Sequence, residues 1–580
     1  MANLSQEKRE RMLAFLNKVK EEHKDDDETL IALDEIENEL NSKKYGLVWE
    51  KHEEEVDRMM QDNIPVFTEV KEREIKATNE NAYNFLLEGD NLHSLKLLEK
   101  THAGKIDVIY IDPPYNTGNQ DFIYDDSFVD KTDGYAHSKW LSFMSERLEI
   151  AKRLLSDDGV IFISIDDNEQ AQLKLLCDSV FGEDNFVCLM PRVTKKAGKN
   201  HGNNISKNHD YIFAYMNNIH DIFNGIVPDA EKYPFRDEYF ETRGSYKLNQ
   251  TLDYSSLWYN PNMDFEISID GQSFVPGGDF EKHIERHKGI HKSKDWVWRW
   301  SYPKIKFGLE NDFIVVKNSR IYTKTYLNAN IERQDGVYYI KQTNRSQKYS
   351  SLHFTNNEYS NDNAKKDLSQ VFDNGNIFDF SKPISLIQTI CEMTTDMSAT
   401  VLDFFAGSGT TAQAVLELNK EDGGNRKFIL CTNNENNICE EVTYERIKRV
   451  IHGYSYVKKK NGSATVNVEG IPANLKYFKT DFIAKDADDV SEDLLSHIKE
   501  MVELENGITL DNKHYLIVLS DEQADELAKN WANYEDVKAI YVSRNVLFTS
   551  EQNALFSNVE IHIIPDYYFE YELKEVGETW

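Results

Sequence analysis

The stretch Val108-Ile-Tyr-Ile-Asp-Pro-Pro-Tyr-Asn-Thr-Gly118 leaves this chain little freedom in what it folds into. An apolar, β-branched run stops at Asp112, and Pro113 and Pro114 then oppose both a helix and further ladder pairing. Tyr115 follows at once. The pattern predicts a buried strand that delivers one carboxylate and one aromatic ring at its carboxyl end, the end where open α/β sheets bind ligands.

A second strand of this kind lies far downstream. Thr400-Val-Leu-Asp-Phe-Phe-Ala-Gly-Ser-Gly-Thr-Thr-Ala412 reads as a buried strand, a glycine turn and an amphipathic helix from Thr410 to about Leu418. Gly407 and Gly409 allow the backbone to approach a ligand, and the helix N-terminus offers free N–H groups. Gly407-x-Gly409-x-x-Ala412 also fits a dinucleotide fingerprint, but a hydride-transfer enzyme has no use for Asp112-Pro113-Pro114-Tyr115.

That tetrad is suited to an amino group. The exocyclic amine of a nucleobase is a poor nucleophile because its lone pair is delocalised into the ring. The Asp112 carboxylate and the Pro113 carbonyl are two acceptors at fixed spacing, able to take both amine hydrogens and draw the nitrogen toward tetrahedral geometry. Tyr115 offers a face on which an extruded base can stack, and chemistry on a base in duplex DNA requires that extrusion.

Asp112-Pro-Pro-Tyr115 followed by Phe405-Ala-Gly407-Ser-Gly409 resembles the amino-group DNA methyltransferases that use S-adenosylmethionine, in the permuted order with the catalytic motif first. Leu87-Glu-Gly-Asp-Asn-Leu-His-Ser-Leu95, His137-Ser-Lys-Trp-Leu-Ser-Phe143, Gly159-Val-Ile-Phe-Ile-Ser-Ile-Asp-Asp167 and Phe380-Ser-Lys-Pro383 narrow the likeness. Together they are similar to the modification subunit of type III restriction-modification systems, over residues 30 to 455. The resemblance implies a Rossmann-like, circularly permuted methyltransferase sheet and an inserted target-recognition domain. It implies transfer of a methyl group to adenine N6 in duplex DNA, with N4-cytosine transfer or a non-catalytic recognition subunit as alternatives. It puts Asp90 at the adenosine end of the cofactor, where the same residue also reads as a helix N-cap. Lys382 and Pro383 go to the methionine end, and Asp403, Phe405, Gly407 and Gly409 to the glycine-turn side. An acid after the strand Phe428–Thr432 binds the cofactor ribose in related enzymes; here Glu435 and Asn433 both stand in reach of that role. The resemblance further implies a homodimer; and because no Walker motif occurs in the chain, a separate helicase-nuclease subunit would have to supply restriction.

The bulk numbers set limits on this reading. At 580 residues the chain is too long for one core, and 40% apolar with 12% aromatic content suffices for several. Five scattered cysteines form no C-x-x-C pair, so neither a disulfide framework nor a metal site is expected. No apolar run approaches a membrane span and no signal pattern is present, which reads as soluble and cytoplasmic. A net charge of −33 argues against nucleic acid only if charge is evenly spread. It is not: residues 191–350 hold 24 Lys+Arg against 19 Asp+Glu, leaving 43 against 81 elsewhere. A basic island in an acidic protein fits duplex DNA.

Five segments follow. Residues 1–70 read as a helical arm, with Asp27 as a possible cap, that packs on the catalytic domain or on a second subunit. Residues 80–225 alternate strand and helix, the catalytic half of the sheet. They end in a basic loop where Lys195, Lys196 and Lys199 are candidates for the DNA backbone. Residues 226–370 are aromatic and β-rich, the place of the target-recognition domain. There Trp296, Trp298 and Trp300 share one face of a strand as core, and Arg299 opposes them as a phosphate or guanine contact. Residues 371–455 form the cofactor half. Lys458–Gly462 reads as a linker to a small α/β domain over 465–580, with a helix capped by Ser520.

Overall fold

The computed structural model describes residues 4–24, 26–41, 49–118, 123–124, 127–129, 133–196, 205–220, 222–226, 232–343, 347–372, 377–394, 396–459 and 463–578. They form two compact units, Met1–Ile222 with Ser350–Trp580 and Phe223–Tyr349.

The larger unit is built on a ten-stranded sheet. Its strands in chain order are β1 (Asn63–Glu69), β2 (Ile75–Lys76), β3 (Tyr83–Glu88), β4 (Ile106–Ile111) and β5 (Leu155–Ile165), then β6 (Phe186–Val193), β7 (His209–Met216), β8 (Thr400–Asp403), β9 (Lys427–Thr432) and β10 (Asn474–Ala484). Across the sheet the order is β1-β10-β3-β9-β8-β4-β5-β7-β6, with β2 also paired to β10. The six strands from β10 to β5 are parallel; β7, β6, β1 and β2 join antiparallel. From β4 the chain moves to β5 on one side, and from β8 it moves to β9 on the other. The order therefore reverses between β4 and β8, which pair directly through Val401 with Val108 and Leu402 with Ile109. A crevice opens at such a reversal, outside the carboxyl ends of the two strands.

Burial on both faces explains the composition of the central strands. Ile109, Ile111, Ile161, Ile163, Leu402 and Phe404 face one core together with helices Asn91–His102, Ala136–Leu154 and Gln170–Phe181. The intervening Val108, Tyr110, Val160 and Phe162 are buried as well.

Several boundaries differ from the sequence reading. Asn63–Glu69 is an edge strand rather than the end of a helical arm, and Pro65 sits there because an edge strand tolerates a missing N–H. In the arm itself, helices Leu4–Glu22 and Asp27–Asn41 are tied by Lys20 to Asp34 and Glu37. The second begins at Asp27, and ahead of it the Asp26 carboxylate accepts from the Thr29 amide at 3.2 Å. Gly453–Lys459 and Ser463–Glu469 pair as a hairpin where a linker was expected, its residues 460–462 lying outside the described residues. Asn474–Ala484 is a strand of the main sheet, so the chain beyond 465 is not set apart at that point. Its three-stranded parallel sheet, Tyr515–Val518, Ala539–Ser543 and Glu560–Ile564, has a core of its own around Leu516, Ile540 and Phe556. Ala539, Tyr541 and Ile564 nevertheless join the main core. Ser520 caps the helix Asp521–Lys529 as read.

The smaller unit closes at Tyr349, short of residue 370, and helix Asn361–Phe372 belongs to the larger one. It holds a three-stranded sheet, Tyr246–Thr251, Arg320–Tyr326 and Ile314–Lys317, and a core of Leu252, Ile267, Phe274, Trp298, Ile305, Ile314 and Ile321. The tryptophan strand spans only Asp295–Trp298, so Trp300 lies past its end. Trp298 is core, its indole N–H satisfied by the Phe265 carbonyl at 2.7 Å.

Candidate active site

β4 carries Asp112 to the crevice. Its Oδ2 is ion-paired with Lys382 Nζ, while Oδ1 is buried and has no hydrogen-bond partner among the described residues. The two prolines are held from behind, for the fully buried Trp140 donates its indole N–H to the Pro114 carbonyl at 2.8 Å. Tyr115 is half-buried, its ring centroid 5.1 Å from Lys382 Nζ, and its hydroxyl lies 3.4 Å from Asp210. Asp210 is clamped by buried Arg192, which also binds the Tyr359 carbonyl at 2.8 Å. Burial first, then the charges of Asp112 and Asp210, push the Tyr115 phenol well above its ordinary value. The phenol therefore stays protonated and donates toward Asp210. Asn116 takes φ +56°, a conformation Asn tolerates, and donates to Glu169 at 2.5 Å and to the Ala136 carbonyl at 3.2 Å. Glu169 also binds His137 Nδ1 at 2.7 Å.

β8 brings the second loop alongside. Asp403 accepts from the Phe405 amide at 3.0 Å and from the Thr411 hydroxyl at 2.6 Å, which folds the chain back over the strand end. Burial, opposed by these two hydrogen bonds and reinforced by the Asp112 charge, pushes the Asp403 carboxyl up to about 7. Gly407 and Gly409 have φ of +48° and +74°. A side chain at Gly407 would come within 3.2 Å of the Phe378 ring, and one at Gly409 within 3.1 Å of Thr443. Helix Thr410–Asp422 starts here, and buried Arg446 fixes its first turn by donating to the Ser408 carbonyl at 3.2 Å and to Thr410 Oγ1 at 2.8 Å.

Asp90 is the N-cap of helix Asn91–His102, accepting from the Leu92 amide at 2.7 Å, and it also faces fully buried Arg147 at 3.3 Å. Pro383 is buried behind Lys382, Phe405 is half-buried, and Glu435 is exposed in the short turn after β9. Asp112, Tyr115, Lys382 and Asp403 thus come together. Lys195 and Lys196 are exposed, and Lys199 lies outside the described residues. In the smaller unit Arg299 is exposed, stacked 4.4 Å from the Tyr254 ring, with Nε donating to the Thr251 carbonyl at 3.2 Å. One three-residue group there could hold a cation by distance, Asp264 with His283 and His287. Its carboxylate is already bonded by Arg286 at 2.7 Å and Tyr259 at 2.9 Å, which makes it an internal ion-pair network.

The sequence reading did not single out Trp140, Asn116, Glu169, Arg192, Arg147 or Arg446. Two of them leave a trace in the sequence: Arg147 and Arg446 fall on the apolar stripes of their helices, among Met144, Leu148 and Ala151 and among Ile447, Val450 and Ile451. A charge on such a stripe is buried only with partners.

The crevice at the switch point thus sets a buried carboxylate oxygen without a partner among the described residues beside a glycine turn, and the DNA methylase family N6_N4_Mtase matches residues 106–444, spanning both loops. The StyLTI Mod subunit of Salmonella typhimurium is 33% identical over 422 residues, 67% of this chain and 60% of that protein. The EcoPI Mod subunit of Escherichia phage P1 is 30% identical over 550 residues, 86% of this chain and 78% of that one. The type II methyltransferase M.KpnI of Klebsiella pneumoniae is 33% identical over 349 residues, 60% of this chain and 79% of that one. The chain belongs to this DNA methylase family and, within it, to the Mod subunits of type III restriction-modification enzymes. Among solved structures, M1.HpyAVI in complex with S-adenosylmethionine aligns with a TM-score of 0.28 and 12% identity over 63% of this chain and 98% of that one; at that score it adds nothing to the fold described above.

Proposed function

We propose that the chain transfers a methyl group from S-adenosylmethionine to N6 of an adenine flipped out of duplex DNA. The observation that carries this is the Asp112 carboxylate at the switch point, one oxygen anchored and the other a bare, buried acceptor. An orphaned buried acceptor between the tetrad and the glycine turn fits an amine arriving from the DNA side and a cofactor on the turn side. Asp90, Pro383, Asp403, Phe405, Gly407, Gly409 and Glu435 would hold the cofactor, which supplies an electrophilic methyl carbon when bound. Asp112 Oδ1 and the Pro113 carbonyl accept the two amine hydrogens, and Tyr115 stacks on the base. The amine nitrogen gains the methyl carbon as that carbon's bond to sulfur breaks, the electron pair staying on the sulfur of the departing S-adenosylhomocysteine, and the nitrogen sheds one proton, which Asp112 Oδ1 would accept. An Asp at the head of the tetrad favours adenine over cytosine. Lys195, Lys196 and Arg299 contact DNA in this reading, and the unit Phe223–Tyr349 reads the sequence. A second copy of the chain and a separate restriction subunit complete the assembly. No helix among the described residues is long and apolar enough to cross a membrane, and the reading places the protein in the cytoplasm with its DNA.

Sequencing the methylome of a host that expresses the protein tests this. N6-methyladenine at one short sequence is expected. N4-methylcytosine would transfer the activity to the other amino base, and absence of S-adenosylmethionine binding by calorimetry would leave only a recognition subunit.

A further inference from the structure

Lys382 comes from a segment that the family likeness gives to the cofactor, yet its ammonium is directed at the tetrad. Its side chain is 9% exposed, and Nζ is ion-paired with Asp112 Oδ2. The same nitrogen lies 5.1 Å from the centre of the Tyr115 ring. An aspartate carboxylate turns broadly about its last torsion, so anchoring one oxygen fixes the direction of the other. Lysine suits this task because its ammonium offers three donors and no acceptor.

The segment is itself immobilised. The Lys382 carbonyl accepts from Thr410 Oγ1 at 3.3 Å, and Ser381 Oγ lies 2.9 Å from Ser408 Oγ and 3.2 Å from Thr410 Oγ1. Arg446 donates to both of those hydroxyls, at 3.1 and 2.8 Å. One connected set of bonds therefore runs from helix Glu445–His452 through the glycine turn to Lys382 and on to Asp112. Asp403, Tyr110 and Tyr115, on which the Asp112 charge also acts, are not cations.

We propose that Lys382 is a positioning residue for methyl transfer, which holds Asp112 Oδ2 so that Oδ1 and the Pro113 carbonyl meet the two hydrogens of the target amine. It is not, on this view, a ligand of the cofactor's methionine end. The inference rests on the amino-methyl transfer proposed above, and it has a separate test.

Single-turnover methylation at saturating S-adenosylmethionine is compared with cofactor affinity by calorimetry for the wild type, Lys382→Met, Lys382→Gln and Lys382→Arg. The expected result is a rate about 100-fold lower in the two neutral variants, the size of effect that a misplacement of about 1 Å produces, with cofactor Kd within about threefold of wild type. Lys382→Arg, which keeps the cation, should recover at least about tenfold of that loss. A merely structural role would lower rate, affinity and melting temperature together. The proposal is overturned if the neutral variants bind cofactor more than about tenfold weaker and react normally once saturated. Wild-type rate and affinity in them would overturn it equally. If one neutral variant does not fold, the other decides. A wild-type chain that methylates nothing would remove the proposed function itself, whereas these variants bear only on Lys382.

Discussion

Asp403 gives the site a pH signature at the scale of a single residue. Its carboxyl is pushed up to about 7 in the folded chain, chiefly by burial, against about 4 when unfolded. The folded state therefore binds this proton more tightly than the unfolded one. The contribution is fully present below pH 4, is lost as pH rises toward 7, and is constant above that. Asp403→Asn should remove this slope. Urea denaturation at pH 5 and pH 7.5 should show the wild type losing roughly 2 kcal/mol relative to the variant between the two; parallel behaviour would deny that Asp403 is protonated on burial. At this scale the sequence was legible wherever a residue acts on its own backbone. Pro113, Pro114, Gly407 and Gly409 announce themselves because ring closure and a missing Cβ change local geometry whatever surrounds them. Trp140 against Pro114, or Arg192 against Asp210 and Tyr359, are contacts between positions that no spacing rule connects.

At the scale of elements, the glycine turn is held from both sides. Gly409 sits in the left-handed region with Thr443 Cγ2 only 3.1 Å from where a side chain would begin. Gly409→Ala should cost about 1–2 kcal/mol from the backbone alone, measured by urea denaturation, and should weaken S-adenosylmethionine binding by calorimetry. Gly134→Ala is the control, since nothing lies within 4 Å of its position. Equal behaviour of the two variants would mean that the turn is not shaped by Gly409. The strands β4, β8 and β9 were readable as apolar runs because they are buried on both faces. β5 begins at Leu155, ahead of the apolar run, because Leu155 lies beside Ile106; the polar Ser156–Gly159 stretch then forms an irregularity, and the register resumes with Val160 beside Val108. The hairpin Gly453–Lys459 with Ser463–Glu469 escaped notice because its lysine-rich tip resembles a linker in composition.

For the whole molecule, the helical arm exposes Met12, Phe15, Ile31 and Ile36 at 43%, 66%, 63% and 48%, an apolar surface suited to a second chain. Light scattering should give a mass near twice 67.4 kDa, and removal of residues 1–48 should reduce it to one chain. A full-length monomer that methylates at full rate at nanomolar concentration would contradict the dimer. The sequence shows a change of pattern, alternating strand and helix giving way to short aromatic strands, and one compact unit spans Phe223–Tyr349. Where each element goes is less legible. β10 returns to the main sheet after the cofactor half, and no local feature of Asn474–Ala484 shows which sheet it will join.

On the proposed mechanism Asp112 activates the amino group of adenine. The most direct test is mass spectrometry of nucleosides from duplex DNA incubated with S-adenosylmethionine and either the wild type or Asp112→Ala, with DNA binding measured for both. N6-methyladenine is expected from the wild type and none from the variant, which still binds the duplex. Methylation that persists in Asp112→Ala, or N4-methylcytosine from the wild type, would contradict this mechanism.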